Sequence, residues 1–185
     1  VEERVKPARM KDNRGTYKTY WWKPGESGGA LYAALSGFGH CLVTARVTKH
    51  LCFSLQPTNQ FFSEALYAFA LKSNTSFAIL QSRIHETWAR LLSSSLEDRL
   101  RYAASDCFDT CPFPRPNPRN IIANLEVAGK ALSDARARFM LDTDQGLTKT
   151  YNALKDPANT APAVAELRRL TEAMDRAVLD AYGWT

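Results

Sequence analysis

The chain has 185 residues and a mass of 20.7 kDa, room for one ordinary domain or a compact domain with an appendage, which excludes a whole multi-activity enzyme. Its 45% apolar, 11% aromatic and 23% charged residues exclude a disordered or fibrous chain. No stretch approaches the roughly 18 apolar residues of a membrane span, and the N-terminus is ionic where a signal peptide is apolar, so neither secretion nor membrane insertion is expected. The first residue is Val1 rather than Met, from which we expect a fragment cut from something longer.

The net charge of +5 is unevenly spread. Residues 1–23 carry seven cations against three anions; residues 24–117 carry eight against seven, and 118–185 nine against nine. The excess therefore sits in a basic N-terminal arm, which suits a polyanion such as DNA and equally suits a solvated tether. The four cysteines, Cys41, Cys52, Cys107 and Cys111, form no disulfide framework, so a reducing, cytoplasmic setting is expected. His40, Cys41, His50 and Cys52 lack zinc-knuckle spacing, and core roles are the simpler reading for the cysteines.

Along the chain, Thr19–Trp22 reads as an edge strand, and glycines bracket a short helix over 30–35. From Cys41 to Val47 side chains alternate, with Leu42, Thr44 and Arg46 on a polar-leaning face; alternation resumes over 51–55, predicting a hairpin with Lys49 and His50 near its tip. Leu66–Leu71 is a buried-strand candidate. Asn74 caps a helix whose stripe is Phe77, Leu80, Ile84, Trp88 and Leu91, ended by Ser93–Ser95. Four prolines in the seven positions 112–118 mark a boundary. Beyond it, Asn117-Pro118 opens a helix of about 22 residues by its heptad-like stripe Ile121, Leu125, Ala128, Leu132, Ala135 and Phe139. A shorter helix around 147–154 and a last one, capped by Thr160 and ended by Gly183, complete a hairpin or bundle. The fold class is thus α+β: a small, mostly antiparallel sheet packed with one long helix, followed by C-terminal helices. The expected domains are a basic connecting arm (1–23), an α+β domain (24–117) and a helical extension (118–185).

No catalytic constellation emerges. There is no Gly-rich turn after a buried strand, no Asn/Asp/Ser-Pro-Pro-aromatic loop, no Glu-x-Lys or Asp-x-Lys pair, and no nucleophile elbow. No catalytic, cofactor or metal residue is expected. What remains are polar groups suited to base edges: Thr44 and Arg46 on one face, Lys49 and His50 at the tip, then Ser54, Gln56, Asn59 and Gln60. The same residues also suit a plain solvated sheet face.

Residues 77–90 (FAILQSRIHETWAR), Leu100-Arg101-Tyr102 and the run Ser105-Asp106-Cys107-Phe108-Asp109-Thr110-Cys111-Pro112-Phe113-Pro114 resemble a known family. It is the C-terminal target-recognition region of the large adenine-specific DNA methyltransferases of type II restriction–modification systems and related phage-defence enzymes. Glu3–Pro7 resembles the segment joining the methyltransferase domain to that region. Arg46-Val47-Thr48 resembles its central strand, and Tyr151–Leu154, Asp175–Val178 and Ala181–Trp184 resemble its C-terminal helices.

The resemblance implies an upstream domain of the same polypeptide that binds S-adenosylmethionine and methylates adenine N6, in some members with a nuclease besides. This chain would choose the double-stranded DNA sequence without catalysing anything. The expected DNA contacts are Arg46, Lys49, His50 and Ser54 at base edges and Arg101 and Tyr102 near the backbone. Arg83 and Arg90 are phosphate candidates set against ordinary surface ion pairs. His85 is expected to be structural, and Trp88, Phe108 and Phe113 core. The alternative is a protein-interaction module whose helices dock a partner or the parent enzyme without base readout. A third reading, single-stranded nucleic acid stacked on Tyr20, Trp21 and Trp22, requires those rings to be exposed.

Overall fold

The structure, a computed structural model, describes residues 2–23, 28–93, 95–96, 99–115 and 117–184. Contacts divide the chain into two units, 1–36 and 37–185. Among its described residues the first unit holds three short helices: α1 (Glu2–Met10), α2 (Gly15–Thr19) and α3 (Gly29–Ala34). The edge strand expected at Thr19–Trp22 is not formed. Thr19 ends α2, and Tyr20–Lys23 is a turn closed by the Lys23 amide on the Tyr20 carbonyl. Tyr20 and Trp22 are exposed, packed edge to face at 5.9 Å between ring centroids, with the Lys23 ammonium over Tyr20.

The second unit is α+β, as the residue pattern implies. β1 (His40–Ala45) is the central strand of an antiparallel sheet with β3 (Phe53–Pro57) on one side and β4 (Leu66–Phe69) on the other. Thr44 pairs with Phe53 and with Tyr67, so β1 and β3 form the expected hairpin around a loop of seven residues, 46–52. The polar-leaning face expected on β1 is not solvated. Leu42 and Thr44 are as buried as Cys41 and Val43, because a central strand covered on both faces has no wet side, and the Thr44 hydroxyl donates to the Cys52 carbonyl at 2.8 Å. A second small sheet orders β2 (Val47–Thr48), β6 (Arg99–Arg101) and β5 (Ser95–Leu96).

The helix expected from Asn74 to Leu91 is two helices, α4 (Asn74–Gln81) and α5 (Arg83–Leu92). Ser82 breaks it with an extended backbone (ψ 156°), its hydroxyl donating to the Ile79 carbonyl and accepting from the His85 amide. Ser73, not Asn74, caps α4. The break turns the apolar stripe: Phe77 and Leu80 are fully buried, whereas Leu91 is exposed.

After a π-helical turn (Ala104–Phe108), α6 (Ala123–Thr143) starts later than Asn117-Pro118 suggests. Asn117 caps a local turn by accepting from the Arg119 amide, and the segment is tied to the start of α4 through Ser76 to the Pro118 carbonyl and Thr75 to Ile122. Ile121 is therefore exposed. α7 (Leu147–Lys155) and α8 (Pro162–Tyr182) follow, with Pro162 at the first turn of α8 and Gly183 ending it in the left-handed region (φ 72°). α6 lies against α4 and α8, so the C-terminal helices share one core with the sheet: Leu125, Leu132, Met174 and Val178 join Phe53, Phe69 and Phe77. Gly129 makes the α4–α6 approach possible, since a Cβ there would run into the Asn74 carbonyl.

Candidate nucleic-acid interface

The loop 46–52 joins the two sheets. Arg46 is fixed through its backbone, its amide donating to the Ala65 carbonyl and its carbonyl accepting from the Tyr102 amide, both at 2.9 Å. Its side chain is exposed, donating from Nη1 to the Glu64 carbonyl at 3.1 Å, with the guanidinium 5.2 Å from the Tyr67 ring centre. In the next two residues, β2 sets Val47 opposite Arg101 and Thr48 opposite Leu100. β6 alternates exposed Arg99, buried Leu100 and exposed Arg101, so the period of two turns both arginines to solvent around one apolar anchor. Arg46, Val47, Tyr67 and Arg101 line a groove of about 780 Å³ whose lining also includes the acidic residues Glu64 and Asp106. Two guanidinium forks beside an aromatic ring suit phosphate oxygens or the O6/N7 edge of guanine.

On the other side of the loop is a cavity of about 400 Å³, lined among others by Thr48, His50, Ser54, Gln56, Gln60 and Phe61. Ser54 and Gln56 share one face of β3 and are bonded to each other at 2.8 Å. Amide and hydroxyl groups of this kind match the donors and acceptors of adenine. Phe61 at its rim is 77% exposed.

The expected site residues fall into three groups. Arg46, Lys49, Ser54 and Arg101 lie on or beside these two concavities, Ser54 half-buried and the others exposed. His50 lines the cavity but is only 6% exposed; it stacks on Tyr151 and bonds through Nε2 to the Asn152 side chain at 2.9 Å, the same oxygen that accepts from the Lys49 ammonium at 3.1 Å. Tyr102, expected near a DNA backbone, is among the residues lining the groove of Arg46 and Arg101 but is only 1% exposed, its hydroxyl bonded to His85 Nε2 at 3.0 Å. Its place in the strand–turn region decides this: the ring sits among Phe53, Phe69 and Tyr67, and burial raises its hydroxyl pKa.

Arg83 and Arg90 stand apart from the loop. Arg83 grips the buried Asp175 carboxylate of α8 at 2.5 Å while its amide bonds the same group, and Arg90 is paired with Glu86. His85 is structural, buried in the aromatic cluster with its pKa lowered by burial to about 4. Phe108 and Phe113 are partly buried against the core, and Trp88 is half-buried, its indole N–H donating to the Thr110 hydroxyl.

Two residues escaped the sequence reading. Arg99 has a local signal, the Arg-Leu-Arg alternation of a short edge strand. Asn152 has none, because it meets the loop across more than a hundred positions of sequence.

Residues 40–115 match the family model described as MmeI, target recognition domain. The matched segment contains β1 to the π-helical turn, hence Arg46, Lys49, His50, Ser54, Arg83, Arg99 and Arg101, and it agrees with the resemblance read in the residues. A solved structure of the type IIL restriction-modification enzyme MmeI in complex with DNA is similar in fold, with a TM-score of 0.58 and 20% identity over 99% of this chain. The chain spans 23% of that protein. No curated protein matches.

Proposed function

We propose that this chain reads a double-stranded DNA sequence on behalf of a restriction–modification enzyme. The observation that carries the reading is the coincidence of the family match with the geometry: the segment similar to a target recognition domain is the one that folds the loop 46–52, the groove with Arg46 and Arg101 and most of the amide-lined cavity. Phosphates are engaged by Arg46, Arg99, Arg101 and Lys49, which positions the duplex; base edges are met at His50, Ser54 and Gln56, which specifies it. Arg83, bound to Asp175, is left a structural role.

In this reading the chemistry lies elsewhere in the same polypeptide: an upstream domain that binds S-adenosylmethionine and methylates adenine N6 after the base leaves the stack, acting in the cytoplasm. The chain itself takes no cofactor.

The competing reading, a docking module, is favoured by one observation. Ile84, Trp88, Leu91, Leu179 and Trp184 surround an apolar groove of about 380 Å³ between α5 and the end of α8. Salt separates the two. Affinity for a duplex falls steeply with salt when phosphates are contacted, each contact contributing a slope of about −0.9 in log K against log salt. An association with protein through the apolar groove would be nearly indifferent to salt, and a duplex affinity equally indifferent would overturn the DNA reading.

A further inference from the structure

The contact between the loop 46–52 and α7 fixes more than position. Asn152 Oδ1 stands 3.1 Å from Lys49 Nζ and 2.9 Å from His50 Nε2. An ammonium only donates, so the atom shared by both contacts is the amide oxygen, and His50 Nε2 must then be the donor of the second bond. In the neutral ring this leaves Nδ1 as a bare acceptor. No described residue bonds to Nδ1. Stacking of the ring on Tyr151 of the same helix, at 6.1 Å between centroids and 29° between planes, fixes its orientation. The residue that carries this acceptor lines the amide- and hydroxyl-bearing cavity on the face assigned to base reading.

We propose that Asn152 is a positioning residue for base recognition: by accepting from both Lys49 and His50 it holds His50 in the Nε2–H form, so that Nδ1 accepts a hydrogen bond from the exocyclic amino group of a base. Two bases offer that group, adenine through N6 and cytosine through N4. The inference rests on the DNA reading above and deepens it, since it makes a helix beyond the matched segment part of the specificity apparatus. Asn152 is itself exposed and in mid-helix, so its side chain can be changed without opening the core.

Two measurements test it on the full chain. Imidazole nitrogen chemical shifts report the tautomer of each of the three histidines without DNA. His50 is expected as the Nε2–H form in the wild type and as a mixture in Asn152→Leu, which removes the acceptor. Selection from a randomised duplex pool then reads the base preference: Asn152→Leu is expected to lower the preference for adenine or cytosine at one position by about tenfold, with the other positions unchanged. The identity of the weakened position tells adenine from cytosine. A wild-type His50 in the Nδ1–H form overturns the inference and leaves the DNA reading intact. So does a uniform loss of affinity in Asn152→Leu with all preferences kept. A wild-type chain that selects no sequence at all overturns both.

Discussion

Two sets of cations in this chain differ in what already holds them. Arg136 of α6 is 5% exposed and donates to the Phe53 carbonyl, to Gln81 and to the Tyr151 hydroxyl; Arg168 of α8 is spent on the carbonyls around the end of α7. Arg46, Lys49 and Arg101 are exposed and, among the described residues, in no ion pair: Arg46 donates to the Glu64 carbonyl and Lys49 to the Asn152 side chain, while Glu64 and Asp106 line the groove beside Arg46 and Arg101. A polyanion can recruit the second set without breaking an ion pair or a buried hydrogen-bond network. Residue type and net charge therefore say little about where nucleic acid goes; the degree to which each guanidinium is already satisfied says more.

The sharpest break of that contrast is Arg136→Met. The three bonds that tie α6 to β3, α4 and α7 would be lost from the interior, with only Gln81 keeping a second donor in the Phe53 amide, and we expect a loss of about 4 kcal/mol in urea unfolding. A loss below 1 kcal/mol would mean that this arginine is no more structural than the exposed set.

His85 gives the next effect. Burial lowers its folded pKa to about 4, below the ordinary value near 6.5. Between those values the unfolded chain binds the extra proton, so stability is full above pH 6.5, falls as pH drops through the window, and is reduced by about 3 kcal/mol below pH 4. Unfolding free energies measured from pH 7 to 4.5 should show this slope, and His85→Gln should flatten it.

Gly129→Ala follows. The new methyl meets backbone of α4, which cannot swing aside as a side chain would, and the gain in helix propensity offsets only part of the strain; a loss of about 2 kcal/mol by thermal unfolding is expected. On the exposed side, Arg46→Ala and Arg101→Ala should each reduce the salt slope of duplex binding by about 1 with no loss of fold. Arg83→Ala is the smallest: below about 1 kcal/mol in stability, because that guanidinium is largely solvated, and no change in the salt slope.

These outcomes also measure how far the residues alone could be read. The three strands of the first sheet and the helical stripes at Leu125 and Leu132 were legible because apolar periodicity is local, whereas the short second sheet was not and Thr19–Trp22 misled. The Ser82 break was not, since Phe77 to Leu91 keeps one helical period while a single hydroxyl caps a helix in each direction. The resemblance identified the right segment, but it did not show that Tyr102, next to the exposed Arg101, is almost wholly buried where it lines the groove. Lys49 and His50 were placed in the loop correctly, while their partner Asn152 stayed hidden because only the folded chain brings residues 49, 50 and 152 together.

Pairs of triple variants matched in charge test the central claim most directly. Replacing Arg46, Lys49 and Arg101 with alanine takes the formal net charge from +5 to +2, and so does replacing Arg90, Lys130 and Arg169, each of which is paired with a carboxylate on a helix surface. Duplex affinity measured against salt should lose about three units of slope in the first triple and almost none in the second. Equal losses in both would show that overall charge, and not the loop between the two sheets, attracts the DNA.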